Sequence, residues 1–241
     1  MAEVRPIPPN EAKVLVNKYH YLGKKAFRHS FCFGIFENQD FIGAIVFHGV
    51  SAPETVVGAF GLERNQQEGI FEIGRLVLRP DCNGKNFGSM LVGRSIKQLR
   101  KLTNVRAIIT YADSTFHNGA VYQACNFTYC GMSAVKKDFW VNGKIQERGK
   151  TKGQEGEWKP RPQKHRYIMI FDKALSLKWS VLAYPKRNLT PLALDVAIAP
   201  DNQQVLHVSF VPQSGIKPEH SCGGLTHSFE VSGLAPRKEN K

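Results

Sequence analysis

His48, Glu72, Arg75, Asp113 and Tyr122 interrupt otherwise apolar runs, and their types suit moving a proton to and from a reacting nitrogen or thiol. A histidine and two carboxylates can accept a proton, a tyrosine can return one, and an arginine can hold developing negative charge. His48 ends one apolar strand pattern, Glu72 and Arg75 lie inside a second, and Asp113 with Ser114 leaves a third. Each residue also has a plainer reading. His48 could bond only to nearby backbone, Glu72 and Arg75 could form an internal salt bridge, Asp113 could cap the following helix, and Tyr122 could fill core.

The elements that must position these residues centre on Glu72–Phe127. A strand over 70–78, a turn over 79–89, an amphipathic helix to about Leu102, a strand over 105–112 and a short helix into Phe127 make a βαβ crossover. The helix carries Phe87, Met90, Leu91, Ile96 and Leu99 on one stripe and Arg94, Lys97, Arg100 and Lys101 on the other. Its turn, Asn83 to Ser89, places Gly84, Lys85, Asn86, Gly88 and Ser89 where helix N–H groups would meet an anion such as a pyrophosphate. Backbone N–H groups of Leu76 and Leu78, with the Ser114 hydroxyl, are expected to face a developing oxyanion.

Around this unit, Asn10 reads as the cap of a helix running to Tyr19, and Phe31–Phe36 with Phe41–Phe47 as a hairpin. Residues 49–69 read as loop, Phe127–Val135 as a strand, and Trp140–Ile145 as a hairpin with an Asn142-Gly143 type I′ turn. Tyr167–Phe171 closes the sheet ahead of a short helix. The fold class is thus α/β, with a mixed, largely antiparallel sheet and a central crossover.

The chain has 241 residues, 42% of them hydrophobic, and a net charge of +13. Residues 1–187 hold 29 Lys/Arg against 15 Asp/Glu, a net +14, while residues 188–241 hold 4 against 5. This divides a basic domain (1–187) from a loosely patterned C-terminal appendage (188–241). Such an excess implies an anionic partner, nucleic acid first. Between Lys136 and Arg166 there are 10 Lys/Arg and 4 Asp/Glu, interleaved with Trp140 and Trp158. Cations for phosphate and aromatics for bases nominate Lys136, Lys137, Lys150, Lys152, Lys164 and Arg166, joined by Lys24, Lys25 and Arg28 beside Tyr19, Tyr21 and Phe27. Five cysteines without a Cys-x-x-Cys pair indicate neither a disulfide framework nor a zinc knuckle. His48 and the carboxylates have no recognisable ligand spacing; a structural metal is not expected and a redox metal at His48 stays open. With no signal-like or membrane-length apolar run, a soluble protein of the host cytoplasm is the expectation.

The turn resembles the acetyl-coenzyme A loop of the GCN5-related N-acetyltransferases, with Asn83 and Asn86 departing from that pattern and Gly88 fitting it. Asn118–Phe127 resembles the same superfamily's Asn-x-x-Ala-x-x-Tyr-x-x-x-Gly-Phe helix, which implies that Tyr122 protonates a departing thiolate. His20-Tyr21-Leu22-Gly23, Phe33–Phe36, Glu72-x-x-Arg75-Leu76, Tyr111-Ala112-Asp113 and Val121–Ala124 with Asn126, in that order, resemble the Mom DNA-modification proteins of Mu-like phages over roughly residues 10–187.

That resemblance implies conversion of the adenine N6 amine in double-stranded DNA to a carbamoylmethylamino group, which shields phage DNA from restriction. The acyl donor is expected to be either acetyl-coenzyme A-like or glycyl-tRNA, the latter making tRNA a second partner. An N-acetyltransferase of protein or a small amine, and a DNA-binding protein without chemistry, are the alternatives.

Overall fold

Apolar runs of five to ten residues, bounded by polar turns, become the strands of one sheet. The structure, a computed structural model, describes residues 2–23, 27–82, 85–146, 149 and 151–186. The strands are β1 (Ala2–Pro6), β2 (Phe31–Glu37), β3 (Asp40–Gly49), β4 (Ile70–Leu78), β5 (Ala107–Asp113), β6 (Thr128–Met132), β7 (Lys137–Val141), β8 (Lys144–Ile145), β9 (Glu157–Pro160) and β10 (Lys164–Ile170). The helices are α1 (Pro9–Tyr19), α2 (Glu54–Phe60), α3 (Phe87–Leu102) and α4 (Ala120–Ala124).

The main sheet runs β1-β2-β3-β4-β5-β10-β6, and a small sheet runs β8-β7-β9. Every pairing in them is antiparallel except β4 with β5, the crossover that α3 connects. Alternation along the strands divides the side chains between two layers. Ile45, Phe47, Ile73 and Ile108 pack under Phe87, Leu91, Ile96 and Leu99 of α3. On the opposite face Ala44, Val46 and Val77 meet Ala12, Leu15 and Val16 of α1, while Ile70, Ala107 and Ile109 meet Val56, Ala59 and Phe60 of α2. Central strands covered on both faces need the near-continuous apolar sequence seen in β3.

The mixed α/β class and the crossover agree with the sequence reading, but several elements differ. β1 was not expected: Glu3, Arg5 and Pro6 hide it, and it is held by pairing to β2 and by α3, whose Arg94 and Gln98 side chains donate to the Ala2 and Val4 carbonyls. Arg94 is therefore a strand clasp rather than part of a merely solvated face. Helix α2 occupies the stretch read as loop, stabilised by burial of Val56, Ala59 and Phe60 despite Pro53 and Gly58. Helix α1 starts at Pro9 behind Pro8, with no side-chain cap, so Asn10 lies inside it. The second crossover strand is shifted to Ala107–Asp113, and no helix follows β10 among the described residues. The Asn142-Gly143 turn has positive φ at both residues (49° and 74°), as type I′ requires. The appendage of residues 188–241 lies outside the described residues.

Helix α4 is locked to β10 at Gly119, where φ is +79° and a Cβ would come 2.4 Å from Tyr167 Cε2. The Tyr167 hydroxyl donates to the Asn118 carbonyl and accepts from Gln123 Nε2 at 2.9 Å. Gly119→Ala combines left-handed strain with overpacking and should destabilise the fold by ~3 kcal/mol, seen as a lower urea midpoint.

Candidate active site

β4 and β5 pair in parallel only from Ile70–Ile73 against Ala107–Thr110, and beyond that point the strands part. The register of β4 against β3 slips between Val46 and Phe47, leaving Gly74 as an extra residue. A side chain there is excluded, because a Cβ at Gly74 would sit 2.3 Å from His48 Nε2. Past the bulge, Arg79 N–H donates to Ile42 of β3 at 2.8 Å. Strand alternation therefore turns the N–H groups of Leu78 and Leu76 away from β3, toward the side that β5 has left.

Glu72, Arg75, Asp113 and Lys164 share the α1/α2 face of this opening. Arg75 is half-buried; Nη1 donates to the Gly74 carbonyl at 2.7 Å, the guanidinium lies 5.7 Å from the Phe27 ring centroid, and Nε is buried without a partner. A cation that enters no ion pair among the described residues is suited to meeting a ligand's negative charge. Asp113 pairs in register with Lys164 of β10. Burial holds the Lys164 ammonium below its ordinary pKa, against the opposing pull of Asp113, while Arg161 and Arg75 push it further down.

Asp113 does not cap α4, whose N-cap is Gly119 without a side-chain bond. Its Oδ1 accepts from Thr115 N–H at 3.1 Å and its carbonyl from Phe116 and His117, so the carboxylate is fixed in the turn leaving β5. His20, at the end of α1, is pushed down to about 4 by burial first and then by Arg75, His117 and Lys164. Its Nδ1 accepts from Leu22 N–H at 3.2 Å, which puts the proton of the neutral ring on Nε2. His117 is lowered by burial against the pull of Asp113, and Tyr21 is raised by burial and by Asp113.

His48 and Glu72 are both buried and adjacent, Nδ1 to Oε2 4.0 Å apart. His48 Nδ1 donates to the Gly49 carbonyl at 2.6 Å, leaving Nε2 as the acceptor of the neutral ring, and Ser51 Oγ donates to Glu72 Oε2 at 2.8 Å. No salt bridge joins Glu72 to Arg75 among the described residues. A cavity of about 460 Å³ borders His48, lined also by Phe27, Arg28, His29 and Ser30.

Ser114 differs from expectation: its hydroxyl donates to the Gln163 carbonyl at 2.7 Å, so that proton is committed to joining β5's exit to β10. Tyr122 is buried on the opposite face, 5.7 Å from the Phe127 and Tyr167 ring centroids, and burial lifts its hydroxyl to about 12. The hydroxyl lies beside Thr110 and interacts electrostatically with Tyr21, so it approaches the opening from the α3 side.

In the donor turn, Asn86 is the left-handed N-cap of α3 (φ 60°) with no side-chain cap bond, and Ser89 Oγ donates to its carbonyl at 3.0 Å. The first N–H groups of α3 are thus left for an anion, with exposed Lys85 alongside. Gly88 serves packing instead: a Cβ there would meet Val121 at 3.1 Å. Gly84 lies outside the described residues. Uncapped helix N–H groups beside outward-turned strand N–H groups fit an acyl donor bearing phosphates.

Of the residues assigned to nucleic acid, Lys24, Lys25 and Lys150 lie outside the described residues. Arg28 lines the His48 cavity, and Lys136, Lys137 and Lys152 are exposed. Two assignments change. Lys164 faces Asp113 in the opening, and Arg166 donates to the Cys130 carbonyl at 2.7 Å and stacks 4.5 Å from the Trp179 ring, so neither extends the basic surface. His20 was missed as a site residue, and Lys164 was assigned to nucleic acid instead of to the opening; the cue available for His20 was His20-Tyr21 closing a helix pattern. Among the described residues no group of three His, Cys, Asp or Glu converges as a metal would need, and no helix is long and apolar enough to cross a membrane.

A crossover whose parallel strands part beside an uncapped helix N-terminus defines a mixed α/β fold with a largely antiparallel sheet. Solved structures similar to it include an IAA acetyltransferase from Bacillus cereus (12% identity, TM-score 0.44, 71% of this chain and 100% of that one). Others are a Bacillus subtilis acetyltransferase in complex with CoA (15%, 0.42, 70% and 97%) and the ribosomal-protein-S18-alanine N-acetyltransferase from Escherichia coli (10%, 0.47, 72% and 96%). None of the curated proteins matches in sequence. The Mom protein family model matches residues 1–186, and the chain belongs to that family.

The depressed His20 predicts a pH dependence of stability. With a folded value near 4 and an ordinary value of 6.5, the unfolded chain binds more protons between those limits, so stability is full above pH 6.5 and is lost as pH falls toward 4. His20→Gln should flatten the decline of the urea midpoint between pH 7 and pH 4.5.

Proposed function

We propose that the protein transfers a small acyl or aminoacyl group to the N6 amine of adenine in double-stranded DNA, leading to carbamoylmethyladenine and protecting phage DNA from host restriction. The observation that carries this reading is Asp113, fixed in the opening between β4 and β5 with Arg75 and Lys164 beside it. The β7–β9 sheet is rooted at the same end: Arg161 N–H bonds to Lys136, and the Gln163 carbonyl accepts from Ser114. Membership of the Mom family supports the choice of adenine over a protein amine.

An exocyclic adenine amine is a weak nucleophile because its lone pair is delocalised into the ring, so a proton must leave as the new bond forms. Asp113 accepts that proton. Arg75 and the N–H groups of Leu76 and Leu78 hold the carbonyl oxygen as it gains charge, and Tyr122, protonated at neutral pH, serves the leaving group from the other face. His48, bonded through Nδ1 to Gly49 and with its Nε2 edge packed against Gly74, shapes the opening instead of meeting the amine.

The donor supplies an activated acyl carbon, as a thioester of coenzyme A or as glycyl-tRNA. Glycine supplies the new ring-bound nitrogen, the methylene and the carbonyl, and the original N6 becomes the carboxamide nitrogen. Attack of N6 on the ester releases the tRNA hydroxyl and leaves a glycyl amide; its free amine adds to C6 through a five-membered ring, and breaking the original C6–N6 bond leaves the carbamoylmethylamino group. The sequence needs neither oxidant nor separate amine.

Incubating the protein with DNA and a translation extract containing fully labelled glycine, followed by digestion to nucleosides, tests the reading. Wild type should yield a labelled adenosine derivative, and Asp113→Asn should lower its rate by roughly 10²-fold or more with DNA affinity unchanged. An unlabelled derivative would assign the donor to acyl-coenzyme A; no derivative would overturn the reading.

On the small sheet, Lys159 is paired with Glu157 and Arg161 with Asp138, whereas Lys136, Lys137, Lys144 and Lys152 are exposed and enter no ion pair among the described residues. Converting these four to Ala should reduce the slope of log affinity against log salt by up to about 3.6, at about 0.9 per phosphate contact on duplex DNA. An unchanged slope moves the DNA surface elsewhere.

A further inference from the structure

Three rings from two distant segments form a ladder at the mouth of the opening. His20 stacks on Tyr21 with centroids 4.4 Å apart and planes at 27°, and the Tyr21 ring lies tilted against Phe116 at 4.5 Å and 30°. Tyr21 follows α1, and Phe116 lies in the turn that leaves β5. Tyr21 thus has two ring neighbours, whereas Phe116 has one among the described residues. Tyr21 is 40% and Phe116 47% exposed, among the largest apolar side chains the fold leaves in solvent.

The ladder is anchored at its inner end and registered at its outer end. His20 has a fixed tautomer through Leu22 N–H and is kept neutral beside Arg75 and Lys164. Phe116 N–H donates to the Asp113 carbonyl at 3.0 Å, within the turn where Thr115 N–H holds the carboxylate at 3.1 Å. An exposed aromatic face is thus set one turn from a fixed hydrogen-bond acceptor. This combination, a planar face beside an acceptor, matches a nucleobase that carries an exocyclic amine.

We propose that the outer face of Phe116, backed by Tyr21 and His20, is the stacking seat for the adenine extruded from the duplex, placing its exocyclic amine at Asp113. The assignment rests on the reading of DNA adenine as substrate. A base inside the duplex is closed to the cleft, and extruding it sacrifices stacking that a protein ring replaces. Asp113 accepts from an amine and repels the O6 of guanine and the O4 of thymine. Cytosine shares the amine but covers less of the ring, so the ladder favours the purine.

The experiment uses a duplex with 2-aminopurine opposite an abasic site, fluorescence reporting stacking and anisotropy reporting binding. The wild-type complex should be quenched relative to Phe116→Ala by several-fold, and Phe116→Trp should restore the quench. In the modification assay Phe116→Ala should raise the KM for duplex DNA about tenfold. Phe116→Trp should keep the wild-type value, with unfolding midpoints equal across the set. Binding with equal fluorescence from wild type and Phe116→Ala overturns the seat alone. Absence of DNA binding at low salt overturns the substrate reading and the seat with it.

Discussion

Two parallel strands that share four residue pairs and then separate set the conditions for everything else in the molecule. Parting leaves backbone N–H and C=O groups without ladder partners, and such groups must find water or a ligand. The divergence is enforced from both sides. The bulge at Gly74, with the His48 ring pressed against it, commits β4 to β3, while Lys164–Arg166 pair with Tyr111–Asp113 and commit β5 to β10. Neither strand can close the gap without breaking a ladder on its other side. The opening is a fixed feature of the sheet, available without a conformational step.

A gap lined by ionisable groups raises an electrostatic difficulty. Arg75 and Lys164 bring two cations into a half-buried region together with Glu72 and Asp113, and burial lowers the pKa of both from its ordinary value. Charging His20 and His117 would add two more, and burial with neighbouring cations prevents it for His20; at His117 burial outweighs the pull of Asp113. The imidazoles therefore serve as neutral hydrogen-bonding rings. That keeps the number of cations around the opening at two, Arg75 and Lys164, among the groups that face Asp113.

How much of this the sequence discloses depends on which interactions create each feature. β3, the crossover and the Asn142-Gly143 hairpin are legible because local pattern and final burial coincide. β1 and α2 are not, because Glu3, Arg5, Pro53 and Gly58 argue locally against structure that Arg94, Gln98 and burial of Val56 and Phe60 supply from a distance. The central-strand charges Glu72, Arg75 and Asp113 announce themselves as polar breaks in apolar runs. Lys164 does not: β10 forms last in the chain yet inserts between β5 and β6, and only that topology carries the lysine from a basic, loop-like stretch to Asp113. His20 is hidden similarly, since α1 crosses the sheet before its C-terminal turn reaches the site.

The alternation of β5 has a consequence for the proposed transfer. Thr110 and Ala112 face α3, whereas Tyr111 and Asp113 face α1 and α2, so the Tyr122 hydroxyl and the Asp113 carboxylate approach the gap from opposite sides of the sheet. A transfer that deprotonates an incoming amine and protonates a departing group requires two groups in opposite protonation states that do not exchange protons directly. Burial holds Tyr122 protonated, and the intervening strand separates it from Asp113. The acceptor then enters from the side carrying the aromatic ladder and the base of the β7–β9 sheet, and the donor from the side where α3 begins. In the proposed transfer, acceptor and donor would in this way reach one carbon without competing for the same mouth.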